Sequence, residues 1–83
     1  MMEKKRITAR IAEKQKKQIK ITTDFIRLDS ALKLADIAVT GGHAKIIIGE
    51  GEIKVNGEEC LMRGKKLRKG DSFEYERTIY EII

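Results

Sequence analysis

The hydrophobic period of this chain changes near its middle, and that change constrains the fold more than any other feature. From Arg27 to Asp36, apolar side chains recur at the spacing of one helical face. A second helix is predicted from an N-cap at Thr40 to about Gly49 or Glu50. From Ile53 onward, apolar and polar residues alternate as they do in strands. The sequence therefore predicts an α+β fold in which two short helices pack on a small sheet.

Turn residues divide the strand-rich half. Asn56-Gly57 is typical of a two-residue hairpin turn, and Gly70-Asp71 marks another turn. The segments 72–76 and 78–83 alternate or are rich in β-prone residues, which favours a mainly antiparallel sheet. The β-prone segment 19–26 could add an edge strand before the first helix.

The first 18 residues differ from the rest of the chain. They are polar, with Ile7 and Ile11 at an i, i+4 spacing, so we predict a basic N-terminal helix or arm over 1–18 and one domain over 19–83. The arm could order on RNA, act as an oligomerisation helix or remain a solvated leader. The sequence does not choose among these, and it leaves the oligomeric state open.

Composition excludes several classes of protein. The single cysteine, Cys60, cannot form an intramolecular disulfide, and no Cys/His cluster has the spacing of metal ligands. We therefore expect no metal and no cofactor. No apolar stretch approaches the roughly 20 residues of a membrane span, and no signal-peptide core follows the basic N-terminus. The expected location is a reducing cytoplasm, with no membrane partner.

The net charge of +5 is unevenly distributed. Residues 1–20 carry +6, whereas residues 21–83 carry −1. Five of the ten bases in this second part nevertheless fall between Arg63 and Lys69, a stretch without acids. The chain therefore has two separate basic segments, one within residues 1–20 and one in a predicted loop at residues 63–69.

Five short segments occur in a characteristic order along the chain: Ile26-Arg27-Leu28-Asp29, Thr40-Gly41-Gly42-His43-Ala44-Lys45, the segment 51–58, Arg63-Gly64-Lys65-Lys66-Leu67 and Gly70-Asp71. Together they resemble the S4 RNA-binding domain over about residues 20–76. The Thr-Gly-Gly and Arg-Gly-Lys-Lys-Leu segments resemble its small stand-alone members of the YaaA/YbcJ type. Met62 departs from the pattern, because those proteins often carry an arginine there.

The resemblance implies an S4-like (αL) fold, with RNA bound across a basic face formed by the helices and the loop after the hairpin. It also implies a role at ribosomal RNA or in ribosome assembly. From the residues themselves, the basic loop can neutralise RNA phosphates and release their counterions, or it can be a solvated loop that aids solubility. The loop candidates for RNA contact are Arg63, Lys65, Lys66, Arg68 and Lys69.

Further candidates lie at the two helix starts. Arg27 is poorly placed for the helix dipole, so we expect an RNA phosphate rather than its own helix to be its partner. Lys33 is a candidate as well, although Asp29 at the i, i+4 spacing offers a structural partner. The second helix start can hold a phosphate on its free N–H groups, or it can be an ordinary capped helix. Its candidates are Thr40, Gly42, His43 and Lys45.

Catalysis is not expected, because His43 has no nucleophile or orienting partner at a spacing that would form a catalytic site. The four aromatic residues are not interleaved with basic residues in a way that builds a stacking platform for single strands, which favours structured RNA. The predicted function is non-catalytic RNA binding, with ribosomal RNA or a ribosomal subunit as partner and no small-molecule substrate. The alternatives are DNA binding and a protein-interaction subunit that docks through its N-terminal helix or a strand edge at Thr78–Ile83.

Overall fold

The computed structural model describes residues 14–83, which contain two helices and seven short strands. The elements are β1 (Gln15–Ile19), β2 (Ile26–Arg27), α1 (Leu28–Leu34), α2 (Gly41–Gly49), β3 (Lys54–Val55), β4 (Glu58–Glu59), β5 (Lys66–Leu67), β6 (Ser72–Tyr75) and β7 (Thr78–Ile82). The two helices contact each other and the predicted α+β class is confirmed.

Five of the strands form one sheet in the order β1-β7-β6-β3-β4, and β2 pairs separately with β5. Neighbouring strands are antiparallel except for β1 and β7, which run parallel from Gln15 opposite Thr78 to Ile19 opposite Ile82. The sheet is therefore mixed but mainly antiparallel.

The first strand lies in a segment for which the sequence predicted a helix or arm. Residues 15–18 belong to β1, and the predicted strand 19–26 contributes only its two ends, to β1 and β2. Pairing with β7 overrides the local preference of these residues, and Ile19 and Ile21 then face the core. The remainder of the predicted arm, residues 1–13, lies outside the described residues.

The predicted docking edge at the C-terminal strand is wrong. β7 lies between β1 and β6 in the sheet, so both of its edges are already paired. The pairing continues past the strand, because the amide of Ile83 donates to the carbonyl of Ile19 at 2.9 Å. This strand has no free edge to offer a partner.

Both predicted helices are confirmed, although α1 is shorter than expected. Asp36 has a φ of 61°, a left-handed conformation that cannot continue the helix. In α2, the Thr40 hydroxyl accepts a hydrogen bond from the His43 amide at 3.1 Å, as predicted for an N-cap. Gly51, with φ of 77°, follows the end of α2.

The predicted turns are also present. Asn56 and Gly57 have φ of 50° and 88° between β3 and β4, as a type I′ hairpin requires. At the second turn, the Asp71 carboxylate accepts a hydrogen bond from the Arg68 amide at 2.7 Å. A further hairpin joins β6 and β7 through Glu76 and Arg77, which also adopt positive φ. The strand segments on either side of this turn were predicted, but the turn itself was not, because neither residue is Gly, Asn or Asp.

The core lies between the helices and the inner face of the sheet, and the rings of Phe73 and Tyr80 stack there at 4.9 Å. Leu67 of β5 is fully buried in it, which fixes the basic segment 63–69 to the body of the domain. No helix among residues 14–83 is long and apolar enough to cross a membrane. The largest fully buried side chains are Leu28, Leu32, Ile48, Ile53, Leu67, Phe73 and Ile82.

Candidate nucleic-acid interface

The β2–β5 pair is a two-stranded ribbon with one apolar and one basic side. Ile26 pairs with Leu67, and Arg27 pairs with Lys66. Side chains alternate across a strand, so Ile26 and Leu67 pack towards the core while their neighbours project outward. We call the exposed side chains of this ribbon the ribbon face, which consists of Phe25, Arg27, Lys66 and Arg68.

The basic residues just before β5 are held against the start of α1, in what we call the docked turn, Arg63-Gly64-Lys65. The amide of Leu28 donates to the carbonyl of Lys65 at 2.8 Å, and the amide of Asp29 donates to the carbonyl of Arg63 at 3.0 Å. These bonds satisfy two amides at a helix start that have no partner within the helix. They also place the exposed side chains of Arg63 and Lys65 beside the ribbon face.

The glycine of the docked turn lies against Arg27. A Cβ atom added to Gly64 would stand 3.5 Å from Nη2 of Arg27, which is ordinary contact. The sequence predicted a loop over residues 63–69, but Lys66 and Leu67 form β5. Pairing with β2 thus fixes the middle of the predicted loop as a short strand.

Arg27 has a partner within its own helix, which differs from the sequence-based expectation. Its Nη2 lies 3.2 Å from Oδ2 of Asp29, in the first turn of α1. The Arg27 side chain is 52% exposed, so this ion pair contributes at most about 1 kcal/mol to stability. Asp29 pairs with Arg27 rather than with Lys33, which is exposed near the other end of α1.

Phe25 lies among the cations of the ribbon face. The Nζ atom of Lys66 is 4.8 Å from the centre of the Phe25 ring, and the Cζ atom of Arg68 is 5.8 Å from it. Cation–π contacts at exposed sites contribute about 0.5–1 kcal/mol each. The sequence did not point to Phe25, because Lys66 and Arg68 are far from it along the chain. Only the pairing of Ile26 with Leu67 brings them together.

The start of α2 forms a separate group. The Nδ1 atom of His43 accepts a hydrogen bond from the amide of Val39 at 3.2 Å, while the His43 amide donates to the Thr40 hydroxyl. A Cβ added to Gly42 would stand 3.8 Å from Oγ1 of Thr40. These contacts bring Thr40, Gly42 and His43 together at a capped helix start, with Lys45 exposed on the helix after them.

Replacing Thr40 with alanine should lower the free energy of unfolding by about 1 kcal/mol, because the His43 amide loses its capping oxygen. Urea denaturation followed by circular dichroism measures this change. Thr40→Ser is the matched control, since its hydroxyl can accept the same bond. Equal stability of the alanine variant and the parent would show that the cap contributes nothing.

Acidic groups gather in another part of the domain. A side-chain hydrogen bond with Glu50 raises the pKa of Glu52, and partial desolvation and the charges of Glu50 and Glu76 act in the same direction. Desolvation, followed by the charges of Glu76 and Glu52, raises the pKa of Tyr75. Residues 21–83 thus have a net charge close to zero, but their acidic and basic residues lie in different parts of the domain.

A mixed sheet, two helices in contact with each other and a basic segment docked on the first helix define the class of this domain. Residues 19–83 match the sequence model of the S4 domain, so the chain belongs to the S4 domain family. The resemblance seen in the sequence is thereby confirmed. A similar protein from Bacillus subtilis (strain 168), named "Probable ribosome maturation protein RlbA", is 47% identical over 58 residues, which cover 70% of this chain and 82% of that protein.

Proposed function

We propose that this protein is a non-catalytic RNA-binding protein that binds structured RNA through the basic side chains of the ribbon face and of the docked turn. One observation carries the proposal: the β2–β5 pairing and the two backbone hydrogen bonds from α1 gather five exposed basic side chains at a single helix start. Membership of the S4 domain family supports it. The five bases are Arg27, Arg63, Lys65, Lys66 and Arg68.

The charges of this surface suit a phosphate backbone. Segment 63–69 contains no acid, and the two carboxylates that contact this surface, Asp29 and Asp71, already have partners. Asp29 pairs with Arg27, and Asp71 accepts hydrogen bonds from the Arg68 amide and from Asn56. Each phosphate that these basic side chains neutralise should make binding more sensitive to salt. In a plot of the logarithm of the binding constant against the logarithm of the salt concentration, the slope should become steeper by about 0.7–0.9 per phosphate.

The proposed ligand is ribosomal RNA, free or within a ribosome assembly intermediate. The name of the Bacillus subtilis protein, a probable ribosome maturation protein, supports this class of target. A ribosomal target places the protein in the cytoplasm. We assign further phosphate contacts to exposed residues outside the ribbon face and the docked turn, namely Lys33, Thr40, Gly42, His43, Lys45 and Lys69.

Catalysis has no part in this proposal. The Nδ1 atom of His43 is engaged by the backbone amide of Val39, so the histidine ring braces the start of α2 instead of being held by a carboxylate as a general base would be. We therefore give His43 a binding role through its exposed side.

Sedimentation of a cell lysate through sucrose gradients tests the ribosomal target. The tagged full-length protein should migrate with a ribosomal subunit or its precursor at low salt and return to the top of the gradient at moderate salt. A variant with Arg63, Lys65, Lys66 and Arg68 replaced by glutamine should stay at the top under both conditions. If the parent protein also stays at the top at low salt, the ribosomal target is wrong.

A further inference from the structure

We propose that Phe25, together with Lys66 and Arg68, forms a stacking site for one unpaired RNA base. This inference rests on the proposed function and specifies the class of RNA bound. The motivating observation is that Phe25 is 36% exposed and that two cations lie over its ring. A nucleotide with an unpaired base presents both the flat face of the base for such a ring and a backbone phosphate for such cations.

The ring is held by fixed elements on both sides. Its neighbour Ile26 pairs with the fully buried Leu67. On the other side, the hydroxyl of Thr23 donates to the carbonyl of Phe25 at 2.7 Å, which fixes the backbone before β2. Phe25 is thus presented to solvent from a rigid position, so stacking on it costs little ordering of the protein.

The alternative is that Phe25 only supports the apolar stems of Lys66 and Arg68. In that case any apolar side chain of similar size would serve. Stacking instead requires the flat π face of the ring. A base that stacks there displaces an exposed cation–π contact, which is the weaker of the two interactions, and the released cation can move to the phosphate of the same nucleotide.

The proposal distinguishes between two kinds of RNA. Bases within a continuous duplex are covered on both faces by their neighbours, whereas bases in bulges and loops can be turned outward. The ribbon face should therefore prefer RNA with an unpaired base next to a helix. The docked turn would contact the phosphates of that helix in either case.

Two short RNA hairpins that differ in one nucleotide provide the test. One contains a single bulged 2-aminopurine, and the other is fully paired. Their affinities for the full-length parent, Phe25→Leu and Phe25→Tyr are measured at low salt, together with the fluorescence of the 2-aminopurine. Leucine keeps the apolar contact and removes the π face, tyrosine keeps both, and thermal unfolding verifies that each variant is folded.

We expect Phe25→Leu to bind the bulged hairpin roughly 5- to 100-fold more weakly than the parent and the paired hairpin equally well. Phe25→Tyr should match the parent, and only the parent and Phe25→Tyr should quench the 2-aminopurine. If Phe25→Leu binds both hairpins and quenches as the parent does, the stacking site is overturned while RNA binding stands. If the parent binds neither hairpin, the proposed function is overturned as well.

Discussion

Replacing Arg63, Lys65, Lys66 and Arg68 by glutamine is expected to lower the affinity for RNA on the order of 100-fold at low salt. The four side chains are exposed on the docked turn and the ribbon face, where each can neutralise one phosphate. Losing four contacts should also reduce the salt slope by about 3. Fluorescence anisotropy with labelled RNA, repeated over a salt series, measures both quantities.

A second four-fold variant controls for total charge. Replacing Lys16, Lys17, Lys20 and Lys54 by glutamine removes the same charge from β1, its flank and β3, outside the proposed interface. We expect this variant to keep most of the affinity and of the salt slope. Equal losses in the two variants would mean that overall charge, and no particular surface, sets the affinity.

Leu67→Ala is expected to produce the largest loss of stability. Leu67 is fully buried between the exposed Lys66 and Arg68 and pairs with Ile26. Truncating a buried leucine costs about 2–5 kcal/mol, a large share of the roughly 5–15 kcal/mol that stabilises a typical domain. Urea denaturation followed by circular dichroism measures the change in the free energy of unfolding.

Leu61 provides the matched control, because it is a leucine just before the basic segment but is 60% exposed. Leu61→Ala should change the free energy of unfolding by no more than about 0.5 kcal/mol. If the two alanine variants were equally stable, Leu67 would not anchor the basic segment, and the fixed position of the interface would lose its support.

Local sequence signals were enough to predict the helices and the first hairpin. The helical spacing of apolar residues in α1, the Thr40 cap and the Asn56-Gly57 turn each act over a few residues, so they can be read without knowing the fold. The shorter α1 follows from Asp36, whose left-handed conformation no spacing rule reveals.

Pairings between distant segments were not predictable in this way. β1 forms because β7 offers it an edge, and β5 forms because β2 does, although neither Gln15–Ile19 nor Lys66–Leu67 is strongly β-prone. The difference has a practical consequence. A truncation at the predicted arm boundary, residue 18, would remove most of β1 and expose the edge of β7, so a deletion that tests the arm should end at residue 13.

The basic residues of the candidate interface were predictable from the sequence, but their arrangement in space was not. The density of bases between Arg63 and Lys69 is visible in the sequence, whereas the docking of this segment on α1 depends on backbone hydrogen bonds. The ion pair of Arg27 with Asp29 and the position of Phe25 under two cations likewise arise from the folded chain. The sequence therefore predicts that the interface is basic, whereas the positions of its side chains depend on the fold.

Titration of the ¹⁵N-labelled protein with the bulged hairpin, followed by NMR, tests the central claim most directly. The account predicts that the largest amide shifts fall in residues 25–29 and 63–69, which form the ribbon face, the docked turn and the start of α1. The acidic edge strand β4, Glu58–Glu59, should shift little. Shifts concentrated on β1 or β4, with residues 63–69 unchanged, would contradict the account.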